Sequence, residues 1–266
     1  MKTPFYLINA FTNSSYKCGG NPCAVIQLKE RIDENRMQRI AHNLNYPATS
    51  FIYENTNGEF EVAWYAPDAE ISLCGHGAYA SFAFLYANNP PSNSLTLKTN
   101  DGTTIDGMLN NGNIFMRMQN IDHEESSEIP KGLSEALGSN ILNYYKTDNK
   151  HIVLLQDQNA VSVMKPNFEA LRHIDIFGYS VTAAGDGSVI DFVSRTIIPY
   201  VQQLEDHATG SSHAALFPYW KNILNKSTLK ALQLSPNGGY FEGCVENEYT
   251  TMNSGVKIQS KGSLDL

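Results

Sequence analysis

Two short stretches of this chain gather the residue types that move protons and hold anions. One is Leu73-Cys74-Gly75-His76-Gly77; the other is Glu205-Asp206-His207-Ala208-Thr209-Gly210-Ser211-Ser212-His213. Each sets polar or titratable side chains around a glycine and runs directly into an apolar, helix-forming segment, Ala78 to Tyr86 in the first case and Ala214 to Trp220 in the second. Groups on the first turn of a helix sit among free backbone N–H donors at the positive end of the helix dipole, which suits an anion such as a carboxylate. Histidine titrates near neutrality, and a positioned carboxylate can take up or return a proton, so His76 and Asp206 are candidates for general acid–base work. Setting Gly75 on Gly210 brings Ala78-Tyr79-Ala80 over His213-Ala214-Ala215. Two glycine-opened apolar helices of similar build, one in each half, imply two similar domains with a site between them.

The composition fits that plan. The chain has 266 residues, enough for two domains of moderate size, and 42% of them are apolar, enough for a sizeable core. A formal net charge of −8 and the lack of any Lys/Arg-rich run argue against a nucleic-acid partner. No stretch approaches the roughly 20 apolar residues of a membrane span, and Met1-Lys2-Thr3-Pro4-Phe5-Tyr6-Leu7-Ile8 turns polar too soon for a signal peptide. The expectation is a soluble, cytoplasmic protein with no membrane partner. Cys18, Cys23, Cys74 and Cys244 have neither zinc spacing nor a Cys-x-x-Cys motif, and are expected to be reduced thiols.

The elements that would position the two stretches follow from periodicity. Phe5–Ala10 and Ala24–Leu28 read as strands around an irregular Cys18–Cys23 turn. Asp33 caps a helix through Leu44, with Met37, Ile40, Ala41 and Leu44 on one face and Pro47 ending it. Ala48–Tyr53 and Phe60–Tyr65 form a hairpin over Asn57-Gly58. The segment from Gly75 to Tyr86 is apolar nearly all round, so it belongs inside a domain, with strands curled about it. A break at Asn88-Asn89-Pro90-Pro91 precedes strands at 94–98, 103–108 and 114–118. In the second half, Leu133–Leu137 reads as a short helix, His151–Gln156 as a strand followed by Val161–Met164, and Pro166–His173 as helical. Tyr179–Ala184 and Ile190–Ile198 read as strands. A buried helix from about Ser211 should kink or end at Pro218, and Ser227–Leu234 reads as a further short helix. The residues from Tyr240 onward add strands.

In this order and spacing, Asn9-Ala10-Phe11-Thr12, Gly20-Asn21-Pro22, Leu73-Cys74-Gly75-His76, Arg195 with Pro199, and Glu205-Asp206 followed by Thr209-Gly210-Ser211 resemble the PhzF, or phenazine biosynthesis-like, family, relatives of diaminopimelate epimerase. The resemblance spans nearly the whole chain. It implies an α+β fold of two pseudo-symmetric domains, each a β-barrel-like sheet around a central helix, with the active site in the cleft between them. It divides the chain at 1–119 and 120–254, with a C-terminal strand of about 255–266 returning to the first domain. It also implies a homodimeric isomerase that uses no metal or organic cofactor. The family's best-known reaction isomerises trans-2,3-dihydro-3-hydroxyanthranilate by proton transfer. Carried over by position, Gly75, Gly210 and Ser211 would bind the substrate, backbone amides of glycine and serine holding its carboxylate, while His76 and Asp206 hydrogen-bond the reacting portion.

One departure matters. The family's proton-transferring glutamate stands in a Ser-Glu-Thr triplet, and here the triplet is Pro47-Ala48-Thr49, so Ala48 occupies the glutamate position. A methyl group moves no proton, and a general base is worth about 10²–10⁴-fold in rate. Three readings stay open: another residue, His76 or Asp206 first and His207 or Cys74 after them, transfers the proton; a different reaction runs in the same cleft; or the chain is a non-catalytic carboxylate binder or degenerate paralogue. Plain structural roles compete with these. His76 could cap its helix, Asp206 could bind loop N–H groups, His213 is expected to be a core histidine, Cys74 a buried inert thiol and Glu70 a loop-tying acid. Cys18 and Cys23 as an epimerase thiol pair are a minor alternative.

Overall fold

The computed structural model describes residues 2–88, 92–187 and 189–265. Of the break read at Asn88-Asn89-Pro90-Pro91, all but Asn88 lies outside the described residues. The chain divides into two compact units, Met1–Met118 with Thr251–Leu266, and Gln119–Thr250. Among the described residues no helix is long and apolar enough to cross a membrane.

The first unit runs β1 (Lys2–Thr12), β2 (Asn21–Leu28), α1 (Glu34–Leu44), β3 (Ala48–Glu54), β4 (Phe60–Tyr65), β5 (Glu70–Ile71), α2 (Gly75–Ala87), β6 (Ser94–Lys98), β7 (Thr104–Asn110) and β8 (Asn113–Gln119). Helix α1 begins where Asp33 accepts from the Arg36 N–H and ends at Asn45, a left-handed residue whose N–H bonds the Ala41 carbonyl. Its apolar face, Met37 and Ala41 with Ile40 and Leu44 beside them, packs on Ile26 and Phe51. Helix α2 is buried from Gly75 to Leu85, as an all-apolar helix must be, and it packs on β1, β2, β3 and β7.

The second unit runs β9 (Glu124–Ser126), α3 (Leu133–Leu137), β10 (Asn143–Lys146), β11 (His151–Leu154), α4 (Gln158–Val163), α5 (Phe168–Leu171), β12 (Tyr179–Ala184), β13 (Phe192–Ile197), β14 (Glu205–Asp206), α6 (Gly210–Leu224), β15 (Thr228–Gln233) and β16 (Gly239–Glu246). Strand β17 (Tyr249–Asn253) leads to β18 (Gly255–Asp265), which pairs antiparallel with β1 along its length.

The two units repeat one another pairing for pairing. In the first, β18–β1 and β1–β2 are antiparallel, β2–β3 parallel, β3–β4 antiparallel, β4–β6 parallel and β6–β7 antiparallel. The second gives the same series with β9–β10, β10–β11, β11–β12, β12–β13, β13–β15 and β15–β16. The short strands β5 and β14, just ahead of the central helices, pair with β4 and β13. The repeat reaches single side chains. Phe82 of α2 lies against Gly107, where an added Cβ would come within 2.3 Å of the ring, and Phe217 of α6 lies against Gly243 at 2.5 Å. Both positions are seven residues after the helix-opening glycine, and only a strand residue without a side chain leaves room for the ring.

Four expectations need correction. The segment 227–234 is strand β15, not a helix: Leu229, Ala231 and Gln233 are buried and alternate with more exposed neighbours, a period of two. Val161–Met164 does not continue the strand; Val161 to Val163 lie in α4, which Asp157 caps by accepting from the Ala160 N–H. Pro218 neither ends nor breaks α6, which continues to Leu224. Proline supplies no N–H for the Ala214 carbonyl one turn back, and the Ile121 N–H bonds that carbonyl instead at 3.1 Å. The proline of Pro166–His173 also lies outside the helix proper, since α5 starts at Phe168 behind Asn167, whose side chain accepts from the Ala170 N–H.

Candidate active site

In the first unit, Gly75 and His76 form the start of α2 behind Cys74, which makes no side-chain capping bond. Both Cys74 and His76 are buried, and the Cys74 sulfur lies 3.6 Å from His76 Nδ1. Gly77 completes this turn. A Cβ there would meet the Trp64 ring at 2.5 Å and the Cys74 sulfur at 2.9 Å, so glycine is what lets the thiol and the indole approach the helix start. The Gly77 carbonyl accepts from Ser50 at 3.2 Å and from Ser81 at 2.7 Å, tying β3 to this turn. Ala48 opens β3 opposite Cys23 of β2 and is fully buried. Beside it, Thr49 is also fully buried, and its hydroxyl has no hydrogen-bond partner among the described residues. Burial pushes the Cys23 thiol up to about 12 and the Cys18 thiol up to about 11, so neither is a thiolate near neutrality.

In the second unit, Asp206 is held from several sides. Its carboxylate accepts from the His207 N–H at 3.0 Å and from the Thr209 hydroxyl at 2.6 Å. Its backbone carbonyl accepts from Gln233 Nε2 at 2.7 Å, and Gln233 Oε1 accepts from the Thr209 N–H at 2.8 Å. Gln233 thus fastens the loop from Asp206 to Thr209 against β15. A second clamp acts on the preceding residue: Arg195 makes a two-pronged ion pair with Glu205, at 2.7 and 2.8 Å, and donates to the Met164 carbonyl at 2.7 Å. Together these bonds fix the chain that delivers Gly210 and Ser211 to the start of α6. The Asp206 carboxylate therefore binds its own loop.

Three of these residues were not singled out in the sequence as site-builders. Gln233 was hidden by reading its strand as a helix. Arg195 carried a motif with no role attached. Lys150 gave no sequence signal at all: it precedes β11, is 6% exposed, and its ammonium donates to the Ser211 hydroxyl at 3.0 Å and to Asn149. The face of Phe177 lies 5.8 Å from the same nitrogen.

The other histidines are placed as follows. His213 is fully buried, donates from Nδ1 to the Thr209 carbonyl at 2.8 Å and stacks on Phe241 with centroids 3.6 Å apart. Burial pushes it down to about 4, so it is a neutral core histidine. His207 is half-buried, 3.4 Å from Gln203 Nε2. Glu70 is exposed on β5; partial burial and the nearby Glu34 raise its carboxyl above the usual range. Among the described residues no group of three or more His, Cys, Asp or Glu side chains is placed to hold a metal ion.

Two matching α/β units, each with a buried helix opening on a glycine, define a diaminopimelate-epimerase-like α+β protein. A hydroxyproline epimerase from Agrobacterium vitis shares this fold with a TM-score of 0.63 at 9% identity, over 99% of this chain and 92% of that one. The family model described as phenazine biosynthesis-like protein matches residues 8–262, and the chain belongs to the PhzF family. It is 32% identical to an uncharacterised isomerase of Halalkalibacterium halodurans over 90% of this chain and 89% of that protein. An uncharacterised isomerase of Pseudomonas aeruginosa is 30% identical over the full length of both. Among solved structures, a PhzF-family protein of Enterococcus faecalis matches with a TM-score of 0.90 and 32% identity, covering both chains completely. The chain is thus an isomerase-like member of its family.

Proposed function

We propose that this protein isomerises a small carboxylate, cyclic or derived from an amino acid, by moving a proton without metal or organic cofactor, with His76 and Asp206 as its catalytic residues. The observation that carries this reading is the pairing of His76 with Cys74 at the start of α2, 3.6 Å apart and shielded from solvent. An imidazole beside a thiol, at the end of a helix whose N–H groups favour negative charge, can take and return a proton without the missing glutamate. In the second unit, the N–H groups of Gly210 and Ser211 open α6 and suit the substrate carboxylate, and Asp206 holds the loop ahead of them while hydrogen-bonding the reacting portion. Ala48 then contributes shape and no proton. The family resemblance adds a homodimer to this reading; light scattering of the purified protein tests it. Turnover by His76→Gln and Asp206→Asn tests the chemistry. Each should lower kcat by about 10²–10⁴-fold for a substrate the natural protein turns over. Unchanged kcat in both variants would remove these residues from the mechanism.

A further inference from the structure

The two central helices start in surroundings that treat a proton differently. Trp64 faces Ile71 across β4 and β5 as Thr196 faces Asp206 across β13 and β14, so the internal repeat sets Trp64 on Thr196, Ile71 on Asp206, Cys74 on Thr209 and Gly77 on Ser212. In the second unit these polar groups satisfy one another. The Thr209 hydroxyl donates to the Asp206 carboxylate at 2.6 Å, and the Thr196 and Ser212 hydroxyls bond at 3.1 Å. The first unit lacks both of those acceptors, because Ile71 stands for the carboxylate and Gly77 for the serine.

What the first unit has instead is a set of donors. Trp64 is 1% exposed, and its indole Nε1–H has no hydrogen-bond partner among the described residues, a costly state for a buried donor. That nitrogen lies 2.8 Å from the point a Gly77 Cβ would take, and the Cys74 sulfur lies 2.9 Å from the same point. The first N–H groups of α2, which no side chain caps, and the His76 imidazole, with Nδ1 3.6 Å from the sulfur, complete the surroundings. A neutral thiol is a weak acceptor for such a set. A thiolate is a strong one, and a helix N-terminus and a neighbouring imidazolium both favour it. Cys23 of β2 shows the opposite arrangement: its sulfur donates to the Ala24 carbonyl at 3.4 Å and lies 3.3 Å from the Ser50 hydroxyl, so its proton stays. Glu70, the acid nearest to Cys74 in sequence, is exposed on β5.

We propose that Cys74 is held as a thiolate, paired with an imidazolium at His76 and accepting from the Trp64 N–H, and that its sulfur takes and returns the substrate proton. The proposal rests on the proton-transfer reading given above and names the base within it. A substrate C–H bond breaks and an S–H bond forms, while the electron pair stays on the substrate, delocalised into its carboxylate or an adjoining double bond. The S–H then breaks and its proton joins a different carbon, which restores the thiolate. Nothing is oxidised or reduced. His76 stays protonated as the counter-charge, and Trp64 is a positioning residue that fixes and stabilises the sulfur anion.

The test titrates ultraviolet thiolate absorbance in the full-length protein and subtracts the same titration of Cys74→Ser, which leaves Cys74 alone. Its midpoint should lie below about pH 7, against about 8.5 for a free cysteine. His76→Gln and Trp64→Phe should each raise that midpoint by about 1–2 pH units, the loss of one hydrogen bond to a charged group. A purely structural tryptophan would change the thermal midpoint and leave the thiolate titration where it was. In D₂O, Cys74→Ala should lower deuterium labelling of a carboxylate that the natural protein labels by about 10²–10⁴-fold, and Cys74→Ser, which keeps the shape of the side chain, should not restore it. A Cys74 midpoint at or above that of a free cysteine, or natural labelling in Cys74→Ala, overturns the role of Cys74 and leaves proton transfer by His76 and Asp206 standing. If the natural protein labels no carboxylate, the proton-transfer reading falls and its base falls with it.

Discussion

Acidification should expose His213 as a stability element, and the size of the effect follows from its surroundings. The ring is fully buried between Phe192 and Phe241, its Nδ1–H bonds the Thr209 carbonyl, and burial lowers it from the ordinary 6.5 to about 4. The unfolded chain binds the proton more readily than the folded one throughout that window. The contribution is therefore complete above about pH 6.5 and is lost as pH falls toward about 4. A gap of that width corresponds to about 3 kcal/mol in all, and roughly 2 kcal/mol of it disappears between pH 7 and pH 5. Urea unfolding of the natural protein and of His213→Leu at pH 7, 6 and 5 separates this from every other titration. His123 and His151, both lowered chiefly by burial, and all the carboxylates are common to the two proteins and cancel in the difference. His213→Leu should be the less stable at pH 7, because the Thr209 carbonyl loses the shorter of its two bonds and keeps only the backbone N–H of residue 213 at 3.3 Å, and should lose less stability on acidification. Equal pH dependence in the two proteins would refute the neutral, buried assignment of His213.

Other outcomes follow from single contacts. Gly243→Ala should destabilise the second unit and Gly107→Ala the first, each by about 1–3 kcal/mol in denaturant unfolding, since the new methyl meets a phenyl ring that is itself fully enclosed. Arg195→Lys should cost about 3 kcal/mol and loosen the loop that carries Asp206, seen as faster amide exchange from residues 205 to 209, because a lysine cannot serve Glu205 and the Met164 carbonyl in the same geometry. At pH 8, a thiol reagent should label Cys244 in the folded protein and spare Cys18 and Cys23, whose thiols burial pushes up to about 11 and about 12; rapid labelling of Cys23 would contradict its enclosure.

The sequence disclosed the parts of the fold that local physics dictates. Helix α2 was legible because an apolar surface all round admits only a buried setting, and α1 because Asp33, a helical stripe and Pro47 agree on its limits. The hairpin turn at Asn57-Gly58 was legible for the same reason, with positive φ at the glycine. The second half misled where partners distant in sequence override local preference. The 227–234 segment has helix-forming residues, but pairing with β13 and β16 makes it a strand. Pro218 should interrupt a helix, and it does not because Ile121 serves the orphaned carbonyl. The motif residues His76, Asp206, Gly210 and Ser211 were visible through type and spacing. Gln233 and Lys150 were not, since each reaches the α6 start from a strand or loop far along the chain and no local pattern marks the convergence.

With alanine at position 48, this member of the family should still move a proton on a small carboxylate. The direct test follows deuterium incorporation from D₂O by NMR into trans-2,3-dihydro-3-hydroxyanthranilate and a panel of cyclic and amino-acid-derived carboxylates. The natural protein, His76→Ala and Ala48→Glu are compared side by side. The natural protein should label at least one carboxylate with no glutamate at position 48, and His76→Ala should abolish the labelling. Labelling by Ala48→Glu alone, with none by the natural protein on any carboxylate it binds, would mean that the natural protein binds carboxylates without moving a proton.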